Sequence, residues 1–166
     1  MAHRAVEIAN EILSQPNALG RLTQMQLQKL AYIAEGWTLG LTGEDLISDN
    51  FEAWDFGPVA PDLYNHTKYF GRNPINRLLR HNDNDPAAFF GLSSRVSEPY
   101  RPFLSGTEKG IISRVYNRYG KLDGVELSRL THQPGTPWYI ARRKRKNAII
   151  NRDDIRAHYE ELAHAG

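Results

Sequence analysis

The stretch from Thr23 to Pro61 limits what this chain can fold into more than any other, because its hydrophobic period changes once and the change ends in a corner. Leu27, Leu30, Ala31, Ala34, Trp37 and Leu41 recur at intervals of three and four, which predicts an amphipathic helix with those residues as its buried stripe. Thr23 and Gln26 have the spacing of a capping box at its start, and Gly43 suits a left-handed cap at its end. Gly36 and Gly40 lie one turn apart on one face, and each costs roughly 1 kcal/mol of helix propensity. A cost of that kind predicts another element crossing closely there, since a residue without Cβ permits near backbone contact. From Phe51 to Phe56 the period becomes two, as in a short strand with apolar groups on both faces. Gly57-Pro58 is expected to end that strand, and Pro61 to open a new helix, where its missing N–H is not needed.

The rest of the chain reads as further helices. Ala5, Ile8, Ala9, Ile12 and Leu13 predict one over 5–14, stopped by Pro16 and Asn17. Leu63, Tyr64, Thr67 and Phe70 carry the helix begun at Pro61 as far as Gly71, and Pro74 is expected to start another through Ile75, Leu78 and Leu79. Residues 77–105 read as a packed but irregular excursion, dense in Asn, Asp and Pro yet carrying Phe89, Phe90, Tyr100 and Phe103, with a strand expected at LSSRVS. Thr107 is the expected cap of the next helix, striped by Ile111, Ile112, Val115, Tyr116 and Tyr119 and ended by Gly120. Asp123 and Glu126 form a second capping box ahead of Val125, Leu127 and Leu130, and Thr136-Pro137 starts a further helix. Asn151 caps the last one, with Asp153 and Asp154 in its first turn and Ile155, Tyr159 and Leu162 on its core face. The fold class is therefore mainly α: a compact single-domain helical bundle over 1–166 with a small strand or hairpin element.

Composition bounds the function. With 40% hydrophobic and 24% charged residues, a chain of 166 residues is expected to fold around one ordinary core. Having no cysteine, it has neither a disulfide scaffold nor a thiolate zinc site, and it suits a reducing compartment. No apolar run reaches the length of a membrane span, and MAHRAVEIANEIL lacks the form of a signal peptide, so a cytoplasmic location is expected. The histidines show no HxxxH or HxH spacing, and there is no phosphate-binding loop, no GxGxxG after a strand and no GxSxG elbow. No catalytic residue, metal or cofactor is expected, and the chain is not read as an enzyme.

Two features point to binding. Arg142, Arg143, Lys144, Arg145 and Lys146 are consecutive, so this run carries +5 while the remainder carries −3 against a total of +2. Such a run suits phosphates, but it also suits the C-terminal end of a helix, where cations complement the macrodipole. The three tryptophans all lie beside turn chemistry: Trp37 near a helix end, Trp54 before Gly57-Pro58, and Trp138 after Thr136-Pro137. Core anchoring is the commoner role for Trp and is preferred for Trp37. Trp54 and Trp138 are divided between core and a partner groove.

The segments LQKLAYIAEGWTLGLTGEDL and FEAWDFGPVAPDLYNHTKYFG resemble the signature of the Panacea antitoxin domain, the SocA-type family. ISRVYNRYGKLDGVELSRLTHQPGTPWYIAR is similar to that family's closing helices, and NRDDIRAHYEEL to its last one. The resemblance spans most of Ala5 to Leu162, and the string Glu52 to Val59 is its most specific part; residues 77–105 match poorly, and the basic run lies outside the pattern. It implies a helical domain without catalytic activity, found in bacteria, phages and prophages beside a toxin that it neutralises. It also implies that SocA-type members act as adaptors delivering the toxin to a cytosolic AAA+ protease.

The expected function is thus that of an antitoxin binding a cognate protein toxin in a stoichiometric complex. The expected partner surface is Trp54, Phe56, Gly57, Pro58 and Tyr64, with Trp138 beside it and Arg142, Arg143 and Arg145 steering association. The alternative is a nucleic-acid-binding regulator that uses residues 142–146.

Overall fold

A computed structural model of the chain describes residues 2–93 and 97–165. Its helices are α1 (Ala5–Leu13), α2 (Gln24–Thr42), α3 (Pro61–Thr67), α4 (Pro86–Phe89), α5 (Gly106–Tyr119), α6 (Gly124–Thr131), α7 (Pro137–Lys144) and α8 (Arg152–Ala165). A two-stranded antiparallel hairpin, β1 (Glu52–Trp54) and β2 (Gly57–Val59), stands between α2 and α3. The mainly helical class with a small strand element is the observed one.

Helix α2 is the axis of the molecule, with α1, α5, α6, α8 and β2 packed around it. It begins and ends where its local chemistry directs: Thr23 accepts from the Gln26 N–H, Gln26 accepts from Thr23 N–H at 2.9 Å, and Gly43 is left-handed at φ 74°. From Gln26 to Gly36 it is buried on every side. The stripe read from the sequence is therefore too narrow at the centre of α2 and too long at its end, where Leu41 turns outward with 58% exposure. Gly36 and Gly40 admit the close crossing, which is made by α8. A Cβ on Gly36 would overlap the Tyr159 ring, and one on Gly40 would lie 2.8 Å from the Tyr159 backbone carbon.

Polar side chains buried along α2 fasten the loops around it. Both ends of the Gln28 amide bond the backbone of Ala60, at 3.1 and 3.0 Å. Glu35 accepts from the N–H groups of Leu46 and Ile47 and pairs with Arg152 at 2.8 Å. Arg152 also donates to Asp45 and to the carbonyls of Ile47, Ser48 and Asp49, so one guanidinium at the start of α8 closes the whole loop after α2.

Gly57-Pro58 does not end the strand but forms most of a second one, in register Glu52 with Val59, Ala53 with Pro58 and Trp54 with Gly57. Proline is tolerated because Ala53 uses its hydrogen-bonding groups on its other side. Its N–H donates to Ala148 and its carbonyl accepts from Asn147, so the missing N–H of Pro58 is not wanted.

Other differences have equally local causes. The helix expected after Pro74 does not form, because the N–H groups of Ile75 and Leu79 are taken by the Leu22 carbonyl and the Asn10 side chain. Ser105, rather than Thr107, caps α5 through a reciprocal pair with Glu108. Within 77–105 the described residues hold the short α4 and an isolated bridge from Arg80 to Pro99. The strand expected at LSSRVS falls largely on residues 94–96, outside the described ones. Asp123 and Asn151 cap α6 and α8 as expected.

Candidate functional site

The hairpin turn, Asp55-Phe56, projects beside the N-terminal half of α2, and between them opens a groove of about 980 Å³. Its walls come from the hairpin, from Met25 of α2, from Tyr64 of α3 and from Val125 at the start of α6. Trp54 and Tyr64 meet edge to face with ring centroids 5.2 Å apart, which orients both rings. Trp54 is half-buried, and its indole N–H donates to Glu52 at 2.9 Å. Phe56 stands at the tip with 67% of its surface exposed while its carbonyl is held by the Ser128 hydroxyl.

Below the turn lies Lys29. Only 2% of it is exposed, and its ammonium donates to the Pro58 carbonyl at 3.1 Å. Gly57, at φ 117°, is needed directly above it, since a Cβ there would come within 2.5 Å of Lys29 Cε. Burial pushes the Lys29 amine down to about 7, because the charged form has lost water and gained no carboxylate. At the rim, Asp55 is held below the usual carboxylate range by Arg142, with Lys146 adding to the effect at 3.6 Å. Asp123 is engaged as the cap of α6.

The residues singled out from sequence are thus only partly brought together. Trp54, Phe56 and Tyr64 line the groove, and Gly57 and Pro58 are buried beneath its lip. Trp138 stands behind the hairpin, 8% exposed, with its indole N–H on the Trp54 carbonyl at 2.8 Å and its ring against His132. Arg142 also faces inward, joining Asp55 and the Ala53 carbonyl, whereas Arg143 and Arg145 are exposed. The basic run is therefore divided in use. Two of its five cations, Arg142 and Lys146, are committed to Asp55, and Lys146 alone of the run reaches the groove.

Sequence reading missed Lys29, Met25, Val125 and Arg72. Val125 was read only as an apolar residue of the helix after Asp123, and it is 64% exposed and lines the groove. A signal for Lys29 does exist: it is one of two charged residues in the nineteen of α2, the other being the buried Glu35. Among the described residues no group of three or more metal-ligating side chains occurs, and no helix is long and apolar enough to cross a membrane.

A family model described as "Antitoxin SocA-like, Panacea domain" matches residues 27–139, a span that takes in Lys29, the hairpin and Trp138 but stops before the basic run. The chain is 34% identical over 139 residues to the antitoxin SocA of Caulobacter vibrioides (strain NA1000 / CB15N), an alignment covering 80% of this chain and 67% of that protein. No solved structure matches it.

Proposed function

This chain belongs to the antitoxin SocA-like Panacea domain family, and from that premise we propose that it neutralises a cognate protein toxin by direct, stoichiometric binding through the groove beside the hairpin. Membership supplies the antitoxin role and with it a toxin as partner. The single observation that carries the choice of surface is Phe56, a large aromatic left 67% exposed on a backbone fixed by cross-strand pairing and by Ser128. Trp54, Tyr64, Met25 and Val125 extend that apolar surface, and charged groups ring it, which is the anatomy of an interface with an apolar core and polar rim. The toxin is held inactive by occlusion, so the antitoxin needs no catalytic group of its own.

Nucleic-acid binding by the run 142–146 is the weaker reading, since Arg142 and Lys146 are already engaged by Asp55. Delivery of the toxin to an AAA+ protease would need a second docking surface outside the groove.

The test uses the protein encoded by the adjacent gene as the toxin. Co-expression with the wild-type chain should restore growth and yield a co-purifying complex, and Phe56→Ala should lose both while keeping its thermal midpoint. Growth rescue by Phe56→Asp at wild-type strength would remove the groove from the account.

A further inference from the structure

Among the described residues, three of the side chains that ordinarily carry a charge, Lys29, Glu35 and Asp83, are buried, each exposed by 2% or less. Two of them have a cationic partner within the protein. Arg152 meets Glu35, and Arg77 meets Asp83 through two parallel bonds of 2.8 Å. Lys29 alone of the three has no oppositely charged partner; its protein contact is a neutral carbonyl, which uses one of three ammonium donors. A buried charge left in this state is costly, and the fold has kept it at the wall of the groove rather than in the closed core. The groove offers no free acid to complete the pair, since Asp55 is bonded to Arg142 and Lys146, and Asp123 to the N-terminus of α6. Arg72 adds another cation at the rim, with no ion-pair partner among the described residues.

We infer that Lys29 is the docking point for a carboxylate side chain of the toxin, an Asp or Glu that enters the groove with an apolar neighbour packing on Trp54, Phe56 and Tyr64. The proposal rests on the reading of the groove as the toxin-binding surface and adds the chemistry of what enters it. Charge complementarity selects the occupant: a cation with donors to spare, enclosed by apolar walls, is completed by an anion and by nothing cationic. Gly57 serves this arrangement, because a side chain there would displace the lysine stem. The pairing restores the charged form of an amine that burial otherwise depresses, so complex formation takes up a proton. The other charged or ionisable groups facing the groove are Asp55, Tyr64, Arg72, Asp123 and Lys146.

Calorimetric titration of the adjacent gene's product into the full-length protein, at pH 8 in buffers of different ionisation enthalpy, tests this. The wild type should bind with uptake of close to one proton. Lys29→Met, shown folded by circular dichroism, should bind at least about 30-fold more weakly, the usual loss on truncating one member of a desolvated charge pair, and without that uptake. Absence of any binding by the wild type would overturn the toxin-binding reading itself. Wild-type binding without proton uptake, or full-strength binding by folded Lys29→Met, would overturn the role of Lys29 and leave that reading standing. Because proton uptake is measured on the unmodified protein, the proposal remains falsifiable even if the variant does not fold.

Discussion

Lys29 links the stability of the fold to the chemistry of its groove. Its folded-state value of about 7 lies below the 10.5 of an unfolded lysine, so the native state prefers the neutral amine. The stability this preference contributes is complete above pH 10.5, is lost as pH falls toward 7, and changes little below that. Lys29→Met should therefore be more stable than the wild type at pH 7, by up to about 4 kcal/mol, with the gap closing toward pH 10. Urea midpoints of the two proteins across that range give the comparison, and parallel pH curves would contradict it. Gly57 should be intolerant for a different reason. Gly57→Ala forces a side chain into a left-handed position already filled by the lysine stem, at an expected loss of about 1–3 kcal/mol in the same urea assay. Phe56 should behave in the opposite manner. Its side chain is mostly in water, so Phe56→Ala should shift stability by no more than about 0.5 kcal/mol while weakening the toxin complex.

Among the elements, α8 is held to α2 by two devices, a glycine-lined crossing and one arginine. Gly36→Ala should destabilise by about 1–3 kcal/mol, because the added methyl would overlap the Tyr159 ring, and a matched Gly110→Ala, within α5 and with no neighbour within 4 Å of its Cβ, separates this contact from simple loss of a helical glycine. Arg152→Ala leaves Glu35 buried without its counter-charge, at an expected cost of about 3–5 kcal/mol near pH 8. Burial pushes the Glu35 carboxyl above its ordinary value, so the fold favours its protonated form. The stability from that preference is full below the ordinary carboxyl value and is lost as pH rises through the folded one. The defect of Arg152→Ala should accordingly shrink at pH 5.5, and thermal midpoints at the two pH values check the sign. These elements also show what the sequence could disclose. The ends of α2, α6 and α8 were legible because caps such as Thr23 with Gln26 act over three or four residues. The Gly36 and Gly40 crossing was legible as a cost that needed a reason. The segment after Pro74 was not, since Asn10 and Leu22, far away in sequence, take its N–H groups. Gln28, Lys29 and Glu35 look like ordinary surface polar residues until the loops that they bond have folded over them.

At the scale of the whole molecule, the same hairpin serves both the fold and the site. Trp138 and Arg142 brace it from behind, Ser128 holds its tip, and the face left over looks into the groove. Trp54 and Tyr64 were singled out by their place around the Gly57-Pro58 corner, with Trp54 divided between core and groove, and the resemblance that marked the hairpin could not separate its buried back from its open front. The exposed Arg143 and Arg145 lie outside the groove, and their contribution should be to encounter rather than to grip. Replacing both with Gln should slow association of the toxin and flatten its salt dependence while leaving dissociation nearly unchanged, as stopped-flow mixing at two ionic strengths would reveal. The account as a whole turns on whether the toxin occupies the groove. The most direct measurement is the molar ratio and affinity of the complex between this protein and the adjacent gene's product, taken by titration for the wild type and for Phe56→Ala. A saturable, fixed-ratio complex that Phe56→Ala weakens at least about tenfold, with its fold intact, is the expected result. No complex with the wild type, or one that Phe56→Ala leaves at full strength, would contradict it.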